Sequence, residues 1–263
     1  MRSFLALLPL LAVTQAFAPP RREFSRSRPT LFESTVQSVD ELKAELLRKC
    51  SETPKPPVME LRSIVQKLES ASQVDLGLVS GDWELVYAPS DATRSSPFFW
   101  AFRQAFPENS DQIFGITDAI PAPLKEIGPA YQTIDYNEVT QTGKFVSRVK
   151  VATLGGMATS MMTTRASIVG TKEGQTLELQ VDTTKPEDST VVKTLLGPFG
   201  DVLNENAPAF PSGAALEQVR PGSSKVELLT TFVDEGLRIS RDGKRPNDIF
   251  VWSRREFASF DYL

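Results

Sequence analysis

The sequence predicts a mainly β protein, an antiparallel barrel of about eight strands that follows an N-terminal helical pair. Two observations support this fold class. Apolar residues recur at helical spacing over residues 35–72, and from Gly81 onward they recur at every second position in segment after segment. Half-buried strands that follow one another without intervening helices are typical of antiparallel meanders. Eight such strands can close into a barrel that holds one small ligand, and an open sandwich with the same strand count is the alternative.

The helical pair is predicted from two apolar stripes within residues 35–72. Ser38 and Glu41 have the spacing of a capping box, in which each side chain bonds the backbone N–H of the other residue. The first stripe consists of Val39, Leu42, Leu46, Leu47 and Cys50. After a Pro-rich break at residues 54–57, the second stripe consists of Val58, Leu61, Ile64, Val65 and Leu68. Because each helix has one apolar stripe, we expect the pair to pack outside the barrel and cover it.

Alternation of apolar and polar residues places the predicted strands. In the first of them, Trp83, Leu85 and Tyr87 share one face. The further alternating segments are residues 131–139, 145–151, 163–169, 176–181, 225–233, 236–241 and 248–253. The predicted barrel therefore spans residues 82–253, within a domain that spans residues 35–255.

The composition excludes several classes of enzyme. The 263 residues include no histidine and one cysteine, so His-based triads, His metal sites, internal disulfides and CxxC motifs are excluded. We expect Cys50 to be a small buried residue on a helix face. Asp234 and Glu235 are adjacent, and adjacent side chains of a strand point to opposite faces, so they do not form a catalytic pair. We therefore predict a protein that is not an enzyme, with no catalytic residue, metal site or cofactor.

The first 30 residues have the pattern of two targeting signals in tandem. The apolar stretch Phe4–Val13 follows Arg2 and precedes small residues, as in a signal peptide. Residues 19–30 are rich in Arg and Ser and poor in acids, as in a transit peptide. Residues 15–19 resemble the cleavage motif of bipartite plastid presequences in algae with secondary red plastids, with the cut after Ala16. Simple secretion is the alternative, although a lone cysteine and the lack of an N-x-[ST] acceptor favour the plastid.

The charge of the chain argues against nucleic-acid partners. The whole chain has a formal net charge of −4, and removal of residues 1–30 would take away five basic residues and one acidic residue. Phosphate neutralisation needs a basic face, so we predict no nucleic-acid binding. No later segment contains the roughly 18 consecutive apolar residues of a transmembrane helix. Contact with lipid would therefore be peripheral or inside a cavity.

Short motifs spread along the chain indicate a family. Gly81-Asp82-Trp83 opens the first strand in the G-x-W form that lipocalins use at the closed end of their barrel. The other motifs are Leu68-Glu69-Ser70, the G-x-W-x-L-x-Y pattern of residues 81–87, Ile134-Asp135, Ala209-Phe210-Pro211, the run TFVDEGLRISR of residues 231–241, and Ile249-Phe250-Val251. Together they resemble the plastid-lipid-associated (fibrillin) family over roughly residues 40–255. The chain departs from the family pattern at Phe232, where Tyr is usual, and in a longer last hairpin at residues 244–248.

This resemblance implies a lipocalin-like barrel in a plastid. No catalytic residues are established for the family as a whole, and the resemblance assigns none here. It implies a protein that binds or stores a hydrophobic small molecule, such as a carotenoid, a quinone or an acyl lipid. The alternative is a structural or scaffold protein that coats thylakoid or plastoglobule surfaces, or supports an isoprenoid-quinone biosynthetic enzyme. Its location would be the stroma, in peripheral contact with the thylakoid or plastoglobule surface.

Seven side chains are the candidates for contact with a hydrophobic ligand. They are Trp83, Tyr87, Phe99, Trp100, Phe102, Phe106 and Arg241. Ser96-Pro97 predicts the start of a short helix over residues 98–106, with Ser as the cap and Pro at the first helical position. Phe99, Phe102 and Phe106 should share one face of this helix, which can be a lid, a membrane-dipping element or plain core over the barrel mouth.

Arg241 is predicted to have a structural role first. If Leu237 and Ile239 face the core, Arg241 enters the barrel interior and Arg238 points outwards. By resemblance to lipocalins, Arg241 should then stack on Trp83 or pair with a nearby carboxylate, because an unpaired buried charge is costly. The alternative role is to bind the polar head group of a ligand.

Overall fold

The computed structural model describes residues 37–112, 125–153, 158–190 and 208–255. Eight antiparallel strands in these ranges close into one barrel, in which strands adjacent in sequence pair and the first strand pairs with the last. The strands are β1 (Gly81–Tyr87), β2 (Lys125–Asn137), β3 (Thr142–Thr153), β4 (Ala158–Lys172), β5 (Thr176–Glu187), β6 (Lys225–Val233), β7 (Leu237–Asp242) and β8 (Arg245–Arg254). The predicted mainly β fold with an N-terminal helix pair is therefore confirmed. The predicted presequence, residues 1–30, lies outside the described residues.

Four α-helices within these described ranges accompany the barrel. They are α1 (Val39–Cys50), α2 (Val58–Ala71), α3 (Pro97–Ala105) and α4 (Ser212–Val219). The capping box of α1 is confirmed, since Glu41 N donates to Ser38 Oγ at 3.2 Å and Ser38 N donates to Glu41 Oε2 at 2.9 Å. Ser96 stands at the N-cap position of α3, but its side chain makes no capping hydrogen bond and lies 3.5 Å from Thr164 Oγ1. The predicted helix start, with Ser96 at the cap position and Pro97 at the first helical position, is therefore confirmed, but the cap makes no side-chain hydrogen bond.

Two hydrophobic cores lie on opposite faces of the barrel wall. The inner core fills the lumen; its largest members are Trp83, Trp100, Phe145, Phe250 and Trp252. The outer core lies between the wall and the helix pair; its members include Leu42, Leu46, Cys50, Leu61, Val65, Leu68, Tyr87, Phe232, Leu237, Ile239 and Val251. Cys50 is 4% exposed, and burial raises the pKa of its thiol to about 12. The helix pair thus covers one side of the barrel, as its two stripes predict.

A bulge in β1 divides its apolar residues between the two cores. The pairing of β1 with β8 shifts register between Leu85 and Tyr87. Trp83 and Leu85 contact the lumen core, whereas Tyr87 packs beneath the helices and donates to Pro56 O at 3.0 Å. The prediction that all three side chains share one face is therefore wrong for Tyr87, because the irregularity changes the phase of the alternation.

Two ion pairs hold the helix pair against the barrel. Lys43 Nζ of α1 lies 2.7 Å from Asp234 Oδ2 in the β6–β7 turn, and Arg241 Nη2 of β7 lies 2.6 Å from Glu69 Oε1 of α2. Asp234 Oδ1 also accepts hydrogen bonds from the N–H groups of Gly236 and Leu237. Burial alone would raise the pKa of Asp234, but these hydrogen bonds, led by that of Lys43, hold it below its ordinary value.

We expect Asp234→Asn to reduce the sensitivity of the fold to acid. A carboxyl group whose pKa is lowered by folding stabilises the fold above its unfolded pKa, and this contribution is lost as the pH falls through the folded pKa. Thermal unfolding of the variant should therefore show a smaller loss of stability between about pH 5 and pH 2 than the native chain. Glu235→Gln, at the exposed neighbouring position, is the control and should retain the native profile. Identical acid profiles for Asp234→Asn and the native chain would contradict this role.

We expect Gly213→Ala to destabilise the protein, because α4 approaches β5 too closely for a side chain. A Cβ atom at Gly213 would lie 1.8 Å from the backbone oxygen of Val181. Overpacking of this kind typically costs about 1–3 kcal/mol of unfolding free energy. In Gly236→Ala the new Cβ would have Asp234 Oδ1 as its nearest neighbour, at 3.9 Å, so this control should be nearly neutral. Chemical denaturation measures both, and equal stabilities would contradict the close approach.

Candidate ligand site in the barrel

An arginine–tryptophan stack closes one end of the barrel. Trp83 is fully buried, and its indole Nε1 donates to Val79 O at 2.8 Å. The guanidinium of Arg254, at the end of β8, lies 4.3 Å from the centroid of the Trp83 ring. Gly81 has a φ of 132°, and a Cβ there would lie 2.2 Å from Arg254 Nη1. Glycine therefore leaves the space in which the arginine reaches the indole.

Arg254 is held in place by backbone carbonyl groups. It donates to Leu78 O at 2.6 Å, to Ser80 O at 2.7 Å and to Glu235 O at 2.5 Å. Sequence reasoning did not select this residue. The signal that could have found it is its position at the end of the last strand, because closure of an antiparallel barrel brings that end beside the start of the first strand, where Arg254 pairs with Trp83.

A second arginine, Arg238, lies inside the lumen. Its side chain is fully buried, and its guanidinium lies 5.0 Å from the ring centroids of both Trp83 and Trp252. Its Nη2 donates to Gln132 Oε1, and Gln132 Nε2 in turn donates to Ser95 O at 3.0 Å. Arg238 thus reaches from β7 to β2, which are not neighbours in the sheet. The prediction that Arg238 points outwards is wrong.

Several polar atoms in the lumen have no hydrogen-bond partner within the described part of the chain. They are Nε and Nη1 of Arg238, Oγ of Ser147 and Oγ1 of Thr230. Burial, followed by the nearby positive charge of Arg254, lowers the pKa of Arg238 to about 9. A buried donor without an acceptor is unfavourable by about 1–3 kcal/mol. The lumen therefore offers hydrogen-bond donors to a carbonyl or carboxylate oxygen.

Arg241 lies on the outer face of the barrel. Its Nη1 donates to Pro246 O and its Nη2 to Glu69 Oε1 of α2. The predicted pairing with a carboxylate is confirmed, but the predicted place in the interior is wrong. Leu237 and Ile239 do face a core, and it is the outer core beneath the helices. Since Arg241 shares their face, it points to the helices as well.

The short helix α3 places aromatic side chains against the lumen core. Trp100 is 2% exposed, donates to Arg94 O at 2.7 Å and has its ring 6.3 Å from that of Phe250. The side chains of α3 and its C-cap that pack partly buried against the lumen core are Phe98, Phe102 and Phe106. Phe99 instead lies beside Arg94, whose guanidinium is 5.5 Å from its ring. Phe98 thus takes the position predicted for Phe99, because a spacing of four residues keeps side chains on one helix face.

The seven predicted ligand contacts are therefore divided among three places. Trp83 and Trp100 are in the lumen core, and Phe102 and Phe106 pack against it. Tyr87 and Arg241 are on the outer face of the barrel, and Phe99 packs beside the guanidinium of Arg94. The inner residue that the alternation did not select is Arg238. Whether any of them binds a ligand remains a prediction.

Within the described ranges, none of the helices is long and apolar enough to span a bilayer. The same ranges contain no group of three or more Cys, Asp or Glu side chains placed to hold a metal ion. The family model PAP_fibrillin matches residues 40–253, which include the helix pair and nearly all of the barrel. The comparisons with curated proteins and with solved structures found no match.

We expect Arg254→Met to destabilise the barrel. The variant keeps an apolar side chain of similar length but loses the stack on Trp83 and three hydrogen bonds to backbone carbonyl groups. A loss of about 2–4 kcal/mol in unfolding free energy is expected, since hydrogen bonds to charged groups contribute about 1.5–3 kcal/mol each and are not additive. Arg48→Met, on the exposed side of α1, is the control for loss of a surface arginine. Equal denaturation midpoints for both variants would show that the stack does not stabilise the barrel.

Proposed function

The chain belongs to the PAP_fibrillin family, and on that premise we propose that it binds one small hydrophobic molecule with a polar acceptor group in or at the barrel. The family is plastid lipid-associated, and its members are generally structural or lipid-associated rather than enzymatic. Carotenoids, quinones and acyl lipids all combine a long apolar part with few polar atoms. A protein of this kind would have no catalytic residues, and its ligand would be a cargo or a stored molecule.

The observation that carries this proposal is the buried guanidinium of Arg238. It lies between two indole rings, has two nitrogen atoms without acceptors among the described residues, and forms no ion pair with a described carboxylate. Unpaired buried charge is strongly unfavourable, so a guest that supplies an acceptor oxygen would be bound selectively. A quinone carbonyl or an acyl carboxylate has such an oxygen. Ser147 and Thr230 would supply further hydroxyl groups from β3 and β6.

The apolar part of the ligand would contact α3. Trp100 already inserts into the lumen core, and three phenylalanines of the same segment are only partly buried against it. Aromatic side chains bury a large apolar area and adapt to flat or extended guests. Movement of this short helix would give a ligand access to the lumen donors, and α3 would then serve as the lid.

A second function is favoured by the dense filling of the lumen. Trp83, Trp100, Phe145, Phe250 and Trp252 are each at most 2% exposed. A barrel that stays filled would associate with lipid from outside, through the partly exposed aromatic residues of α3. The protein would then coat thylakoid or plastoglobule surfaces, or support an isoprenoid-quinone biosynthetic enzyme. In either case we place it in the plastid stroma, in peripheral contact with these surfaces.

We expect Arg238→Met to reduce ligand retention strongly while the fold is kept. The full chain and the variant are incubated with a total plastid lipid extract, purified again and analysed by mass spectrometry. The native chain should retain one class of molecule near stoichiometry, and Arg238→Met at least about tenfold less, since hydrogen bonds to charged groups contribute about 1.5–3 kcal/mol. Arg241→Met removes the same side chain from the outer face of the same strand and should retain the native amount.

Circular dichroism of both variants shows whether the barrel is intact. No retained molecule in the native chain, together with flotation of the native chain on galactolipid vesicles, would overturn the cargo function in favour of the surface function. Equal retention by the native chain and Arg238→Met would show that the buried guanidinium does not bind the guest.

A further inference from the structure

A cleft outside the lumen opens where three parts of the chain meet. It lies between α3, the turn that follows α4, and the β7–β8 hairpin, and its volume is about 460 Å³. Its lining includes Trp100, Arg103, Gln104, Arg220, Asp242, Lys244 and Arg245. Pockets of this size accommodate small organic ligands. The cleft is therefore large enough for a compact polar group and part of the molecule that carries it.

The cleft is basic although the chain is acidic. Four of its lining side chains are cationic and one, Asp242, is a carboxylate, whereas the whole chain has a formal net charge of −4. Asp242 is 5% exposed, and burial raises the pKa of its carboxyl group. A concave surface lined by one sign of charge concentrates the field and attracts ligands of the opposite sign. Four cationic side chains of this acidic protein are thus concentrated in one concave part of its surface.

Neutral groups, rather than carboxylates, position two of these cations. Lys244 Nζ donates to Gln104 Oε1 at 2.7 Å, and Arg220 Nη1 donates to Gln104 O at 3.3 Å. Gln104 is itself fixed by a hydrogen bond from its Nε2 to Lys225 O at 2.9 Å. Among the described residues, neither Lys244 nor Arg220 forms an ion pair. Their positive charges therefore remain available to an anion.

The other two cations lie close enough to affect each other. Burial lowers the pKa of Arg103, and the nearby positive charges of Arg245 and Arg94 lower it further, while the carboxylates of Asp248 and Asp111 offset part of this shift. Arg245 has a carboxylate partner, Asp111, at 3.2 Å, but both side chains are exposed, and surface pairs of this kind contribute little. An anion in the cleft would reduce this mutual repulsion. Its interaction would be stronger than that of Asp111 because it would contact several cations at once.

We infer that this cleft binds the phosphate group of a phosphate monoester. A phosphate monoester carries a charge of about −1.5 to −2 near neutral pH and has three strong acceptor oxygens, so it can accept hydrogen bonds from Arg and Lys side chains that converge from different elements. A carboxylate has half this charge and fewer acceptors. The cleft is separate from the lumen donors, and the inference does not rest on the identity of a ligand in the lumen. The phosphate can belong to a lipid head group or to a soluble ester.

The test compares two double variants of the full chain that remove the same charge. Arg220→Gln with Lys244→Gln removes two exposed cations of the cleft. Arg48→Gln with Lys67→Gln removes two exposed cations of the helix pair and is the control. Binding of glycerol 3-phosphate is measured by calorimetry, and binding to phosphatidylcholine vesicles with and without phosphatidic acid is measured by flotation. The basic residues of segment 19–30 are present in all proteins, so their contribution to vesicle binding cancels.

We expect the cleft double variant to bind at least about tenfold more weakly than the control, since it loses charge-assisted hydrogen bonds from two cations to the phosphate. Asp242→Asn, which removes the one carboxylate of the lining, should bind more tightly than the native chain. Binding to phosphatidic acid vesicles alone would assign the site to a lipid head group, and binding of glycerol 3-phosphate as well would assign it to phosphate esters in general. Equal binding by the two double variants, or no binding of either probe by the native chain, would overturn the inference.

Discussion

The stack of Arg254 on Trp83 is the interaction on which the rest of the barrel depends. It joins the end of β8 to the start of β1, the two strands whose pairing closes the ring. The carbonyl groups that hold Arg254 belong to the segment before β1 and to the β6–β7 turn, so the same guanidinium fixes both connections. Without it, the buried indole would lose its cover, and the closed end would be open to water.

Positive charge is concentrated in two regions of the molecule, and the first lies at this closed end of the barrel. Trp83 has a second arginine, Arg238, near its ring. Burial, and then the repulsion between the two guanidinium groups, lowers the pKa of Arg238. The interior thus has a positive charge that the described side chains do not neutralise, although the chain as a whole is acidic. The cleft lined by Arg220 and Lys244 is the second region of positive charge. Two separate regions of this acidic protein are therefore suited to ligands rich in acceptor oxygens.

Much of the fold could be predicted because the two hydrophobic periods are distinct. Helical spacing with a capping box at Ser38 defined α1, and alternation after Gly81 defined the strands. The bulge between Leu85 and Tyr87 could not be predicted, since the alternation of apolar and polar residues does not show where one strand has an extra residue relative to its partner. The orientation of β7 could not be predicted either. Leu237 and Arg238 are both fully buried, so alternation distinguishes the two faces of this strand without indicating which one is inside.

Burial of β7 on both faces also determines how the protein should unfold. Its outer face completes the core under α1 and α2, while its inner face supplies Arg238 and Ser240 to the lumen. Detachment of the helices would expose Leu237 and Ile239 and weaken the strand that positions the lumen arginine. The helix pair and the barrel are therefore thermodynamically coupled. They should unfold as one cooperative unit, rather than as a stable barrel from which the helix pair detaches separately.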